Sequence, residues 1–84
     1  MATSRKKPLH LGLPARLRDV RAERGLSLRQ LAIDAGVGPS TPHQIEGKPG
    51  RQVSTEIVEK LAGALGVSPA WLAYGLGPRE TGKG

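Results

Sequence analysis

The chain has no cysteine and no phenylalanine, and Trp71 and Tyr74 are its only tryptophan and tyrosine. Without thiols no disulfide can staple the fold and no thiolate can hold a metal, which fits a reducing compartment. Without phenylalanine the core must be assembled mainly from Leu, Ile, Val and Ala, a composition suited to helix packed on helix. No apolar run approaches the ~20 residues that a membrane span requires. The basic N-terminus lacks the apolar segment of a signal peptide, so a cytoplasmic protein is expected. At 84 residues the chain makes one domain with a small core. The constellations of an enzyme are also missing: convergent carboxylates, a nucleophile beside a base, a phosphate-cradling glycine loop. No His stands at metal-ligand spacing from a carboxylate. Neither catalysis, a metal, a cofactor nor a small-molecule substrate is expected.

What the chain has in excess is positive charge, +6 net with a pI of about 10.6. It is unevenly spread. Arg5, Lys6 and Lys7 have no acidic neighbour in residues 1–12, and the arginines of residues 13–35 outnumber Asp19, Glu23 and Asp34. A basic domain points to a polyanionic partner such as nucleic acid. The plain alternative is that these charges only keep a small domain soluble.

Taken in order, residues 1–12 have no periodicity and read as a flexible basic arm. Residues 13–76 form the folded domain, and 77–84 a polar, disordered tail. The first helix runs from Leu13 to Arg24. Pro14 suits its first turn, Leu13, Leu17 and Val20 form its apolar stripe, and Gly25 ends it. Arg16, Arg18, Asp19 and Glu23 are expected on its solvated face. The second helix spans Ser27–Ala35, with Ser27 and Gln30 as an S-x-x-Q capping box and Leu31 and Ala35 facing inward. Ala32 is small enough for a neighbouring helix to approach closely. Gly36 supplies a left-handed turn and Val37 plugs the core. Ser54 caps the fourth helix, whose stripe is Ile57, Leu61 and Leu65, widened by Val58 and Ala62. Gly66 closes it. Ser68-Pro69 opens a fifth helix, Pro69–Tyr74, ended by Gly75.

The third helix admits two readings. Pro39 as its first residue, capped by Gly38, would place Pro42 where a proline loses a hydrogen bond and clashes. Thr41 as the cap makes Pro42 the first helical residue and Gln44 the partner in a T-x-x-Q box. The compromise is a tight turn over 39–41 and a short helix from Pro42 to about Gly47. A loop with Lys48 and Arg51 follows.

Two short helices joined by Gly36-Val37-Gly38 make the layout of a helix-turn-helix. The segments RLRDVRAERGLSLRQLAIDAGV, IEGK and VSTEIVEKLAGALGVSPAWLAYG resemble the phage repressor/Cro type of helix-turn-helix domain, the XRE-like family, over roughly residues 13–75. The resemblance implies an all-α, five-helix, lambda-repressor-like fold that binds double-stranded DNA, commonly as a homodimer. It places Arg21 and Glu46 as a structural ion pair and puts the base-reading positions on Pro39, Ser40 and Gln44. Gln44 can pair with an adenine edge, or its side chain can serve the cap instead. Ser40, Thr41 and His43 are further base-contact candidates. Ser27 and Arg29, with the backbone N–H groups of that helix end, are phosphate candidates, as are Lys48 and Arg51. Two residues depart from the family pattern: Leu28, where a glutamine is common, and Pro42, where an aliphatic residue usually packs beneath the third helix. Trp71 is either a core plug or part of a dimer surface, and Tyr74 is the better interface candidate.

Two functions follow. The first is a sequence-specific transcriptional regulator of the repressor/Cro type, reading the major groove with Ser40–Glu46. The second is a protein-interaction module on the same fold, accessory or anti-repressor-like, motivated by Leu28, Pro39 and Pro42.

Overall fold

The computed structural model describes residues 12–47 and 53–80. Five helices follow one another: α1 (Leu13–Glu23), α2 (Leu28–Ala35), α3 (Thr41–Gly47), α4 (Thr55–Leu65) and α5 (Pro69–Tyr74). The basic arm, Lys48 and Arg51 lie outside the described residues.

Each helix starts and stops for a local reason. The hydroxyls of Ser27, Ser54 and Ser68 accept from the backbone N–H groups of Gln30, Ile57 and Trp71, satisfying donors that a helix start leaves without partners. Gly36, Gly66 and Gly75 end α2, α4 and α5 in the left-handed conformation, which a Cβ disfavours. Only half of the capping box at Ser27 forms. The Gln30 amide donates to Asp34 Oδ1 at 2.7 Å instead of reaching back, because that acceptor lies one turn along the same face.

α3 begins one residue earlier than the sequence suggests. Its first intrahelical bond runs from Gln44 N to Ser40 O at 2.9 Å, so Ser40, not Thr41, stands at the cap. The Thr41 N–H is satisfied by Gly38 O at 3.0 Å. Pro42 therefore sits in the first turn, where a backbone N–H would have had no helical acceptor. Its ring is fully buried and takes the place of an aliphatic side chain.

The core gathers Leu13, Leu17 and Val20 of α1, Leu31 of α2, Ile45 of α3, Val58, Leu61, Ala62 and Leu65 of α4, Val67, and Leu72 and Ala73 of α5. α1 packs on α3 and α5, and α2 on α3 and α4. Ala32 is 2% exposed, and Val37 and Trp71 lean on the core from its edge.

The expected tail does not begin at Gly77. Val67 and Glu80 pair in an isolated antiparallel bridge, and Ser68 N donates to Arg79 O at 2.8 Å. The Arg79 guanidinium lies 5.7 Å from the centre of the Trp71 ring and hydrogen-bonds both carboxylate oxygens of Glu23. Residues 78–80 thus strap α5 to α1. Arg79 has a delocalised cation that stacks on a ring face and a planar fork that matches a carboxylate.

Candidate nucleic-acid interface

α3 is short enough that its two faces can be stated residue by residue. Pro42 and Ile45 point into the core, whereas Ser40, His43 and Gln44, at helical spacing of three and four, are exposed together. The Gln44 Nε2 donates to Ser40 Oγ at 3.2 Å, so the two polar side chains are held side by side. Thr41 is half-buried; a Cβ on Gly38 would stand 3.1 Å from its Oγ1. It packs on the turn, apart from the exposed trio. The acid of α3, Glu46, is turned toward α1, leaving the outward face free of carboxylates.

Glu46 is held by Arg21. Nε donates to Oε2 at 2.7 Å and Nη2 to Oε1 at 3.1 Å, while Nη1 donates to the carbonyl of Leu26 at 2.8 Å. The two side chains are 18% and 10% exposed. The hydrogen bond to Glu46 raises the Arg21 pKa further above its ordinary value, so this cation is permanent. One guanidinium ties α1, the α1–α2 turn and the end of α3 together.

The other arginines of α1 divide between scaffold and surface. Arg16, expected on a solvated face, donates to Leu72 O and Ala73 O at 2.9 and 2.8 Å, closing carbonyls at the end of α5. Burial lowers its pKa from the ordinary value. A Cβ on Gly12 would fall 2.4 Å from its guanidinium, and one on Gly75 3.2 Å away. Glycine at both positions leaves room for the guanidinium. Arg24 donates to Leu65 O at 3.1 Å, at the end of α4. Arg18 and Arg29 are exposed.

All seven acidic residues lie among the described residues, where Arg16, Arg18, Arg21, Arg24, Arg29, Lys60 and Arg79 balance them. The net charge of +6 therefore belongs to Arg5, Lys6, Lys7, Lys48, Arg51 and Lys83. Within the described residues, Arg16, Arg21 and Arg24 spend their guanidinium groups on bonds that hold helices together.

Two open clefts flank this body. One, of about 460 Å³, lies between α2 and the turn into α3 and is lined by Arg29, Ala32, Ile33, Val37 and Pro39. Ile33 is 63% exposed. It falls off the 28/31/32/35 stripe of α2, a signal that the sequence carries openly. The other, of about 230 Å³, lies between α4 and α5 and is lined by Thr55, Val58, Pro69, Ala70, Ala73 and Tyr74. Among the described residues no helix is long and apolar enough to cross a membrane. Nor does any group of three or more His, Cys, Asp or Glu there have metal-holding geometry.

Residues 13–78 match a family model described as "Helix-turn-helix domain". The HTH-type transcriptional regulator PrtR of Pseudomonas aeruginosa is 43% identical over 63 residues, which are 75% of this chain and 24% of that regulator's length. The chain thus spans about a quarter of that relative. Among solved structures, the restriction-modification controller protein C.AhdI of Aeromonas hydrophila superposes with a TM-score of 0.65 at 36% identity, over 74% of this chain and 92% of that one. The hypothetical transcription factor NHTF of Neisseria gives 0.71 at 27% identity, over 92% and 90%. The clp gene regulator ClgR of C. glutamicum gives 0.65 at 35% identity, over 80% and 86%.

Proposed function

This chain belongs to the XRE-type helix-turn-helix family of DNA-binding transcriptional regulators, a family without enzymatic activity, and we propose that it is a repressor/Cro-type regulator acting on one double-stranded DNA sequence. α3 enters the major groove. Ser40, His43 and Gln44 meet base edges, and Thr41 holds the turn beneath them. The observation that carries this reading is the outward face of α3: three polar side chains exposed at helical spacing, no carboxylate among them, on a helix clamped from behind by Arg21–Glu46. Gln44 has the geometry to bond an adenine edge with both of its polar atoms, which requires it to leave Ser40.

Phosphates are held beside this face. Ser27 already uses its hydroxyl for the Gln30 N–H, so its contribution is the backbone of the α2 start. Arg29, whose side chain makes no ion pair or hydrogen bond with another described residue, supplies the charge. Lys48 and Arg51, which follow α3 in the sequence, add phosphate contacts. The protein acts in the cytoplasm as a homodimer, with the α4–α5 cleft and Tyr74 as the contact between copies. PrtR and ClgR are known as regulators and C.AhdI as a controller protein, and regulation of transcription is carried over from them.

Selection of bound duplexes from a random pool tests this. One enriched motif with two-fold symmetry, bound in the nanomolar range and weakened steeply by salt, is the expected result. Equal, weak binding to all duplexes with no salt slope overturns it, and capture of a protein partner without DNA would point to the interaction module.

A further inference from the structure

The exposed face of α3 is polar, but the residue that leads into it is not. Pro39 directly precedes the capping Ser40, is exposed, and has neither an N–H nor a polar side-chain atom to offer a base. It shares the 460 Å³ cleft with Ile33, Val37 and Ala32. Ile33, at 63% exposure, is a large β-branched side chain left in water, and no described part of the fold covers it. Arg29 stands in the same cleft. The surface is mostly apolar, with one cation in its lining, and Pro39 joins it along the chain to Ser40.

From this geometry we infer that Pro39 and Ile33 form an apolar seat for the 5-methyl group of a thymine, at the base step beside the one met by Ser40. The inference rests on the reading of α3 as the base-contacting helix and names part of its specificity. Of all the groups that base edges present in the major groove, the methyl at C5 is the apolar one. A seat without donors or acceptors discriminates by that group alone. Arg29 complements the charge of the strand that carries the base. The same methyl chemistry occurs on thymine and on 5-methylcytosine.

The test uses the full chain and its selected duplex, with each thymine replaced in turn by deoxyuridine. At one thymine in each half-site, loss of the methyl weakens binding about fourfold, the scale of one buried methyl-sized group. Ile33→Ser and Pro39→Ser proteins bind the thymine and uracil duplexes equally, with unchanged helical circular dichroism and unchanged preference at the positions met by Gln44. Cytosine with and without a 5-methyl at the same step separates the two sources. A gain on both pairs assigns the seat to the methyl on either base, and a gain on thymine alone assigns it to thymine. If uracil binds as tightly as thymine at every position, or the selected site has no thymine, the inference falls. Failure of the underlying reading looks different, since no motif would then be selected at all.

Discussion

Arg21 and Glu46 meet through two parallel hydrogen bonds of 2.7 and 3.1 Å, joining the last turn of α1 to the end of α3. The geometry is bidentate, and both side chains are largely withdrawn from water. Their pairing fixes how far α3 stands out from the body and turns its acid away from the face that carries Ser40, His43 and Gln44.

Removing one partner leaves the other charge buried and uncompensated, which costs more than an exposed pair is worth. Glu46→Ala should lower the unfolding free energy by about 3 kcal/mol, the low end of the range for breaking a buried pair. Urea unfolding followed by circular dichroism measures it. A loss below about 1 kcal/mol would place the pair with ordinary surface contacts.

The α2 start separates a real cap from an apparent one. Ser27→Ala removes the acceptor for the Gln30 N–H and should cost about 1 kcal/mol. Gln30→Ala removes only the link to Asp34 and should cost about 0.3 kcal/mol. Equal losses for the two variants would mean that the reciprocal half of the capping box forms in solution.

The strap at Arg79 gives the fold an optical reporter, because Trp71 is the single tryptophan. The hydrogen bond from Arg79 holds the Glu23 carboxyl below its ordinary pKa. A carboxyl whose pKa is depressed in the folded state contributes stability that is complete above its unfolded value and is lost as pH falls through the folded one. Trp71 emission should therefore stay constant from neutral pH down to the ordinary glutamate range and shift only below it. In Arg79→Ala the emission should already be shifted at neutral pH and respond less to acid. An Arg79→Ala spectrum identical to that of the parent would contradict the strap.

Salt dependence should follow the charges that the body leaves unbalanced. Each phosphate contact contributes about 0.9 to the slope of log binding constant against log salt. Replacing Lys48 and Arg51 together by alanine should flatten that slope by about 1.8 on the same scale. Arg16→Ala should act on thermal stability, since its guanidinium closes the end of α5. An unchanged slope in the Lys48/Arg51 variant would remove both residues from the interface.

The helical skeleton was legible because its punctuation is local. Serine before each of α2, α4 and α5, and glycine after, act within one turn, and the stripe over Leu61 and Leu65 needs no knowledge of its partner. The start of α3 was not legible to one residue, because Thr41–Pro42 has two satisfactory registers locally and burial of the Pro42 ring decides between them. The partners of Arg16 and Arg79 were hidden for a related reason. A cation held by a distant acceptor looks, in sequence, like a cation facing water; Leu72 O and the Glu23 carboxylate are each 56 residues away. The candidate site was legible as a stretch, while the separation of Thr41 from Ser40, His43 and Gln44 needed the helix register.

The central claim is that the exposed face of α3 reads bases, and repeating the duplex selection with Gln44→Ala tests it most directly. The account predicts that the variant folds as the parent does and selects the same motif with one base position in each half-site relaxed, a loss of about 1–3 kcal/mol of discrimination there. An unchanged motif, with every position as sharply selected as before, would show that bases are read from elsewhere.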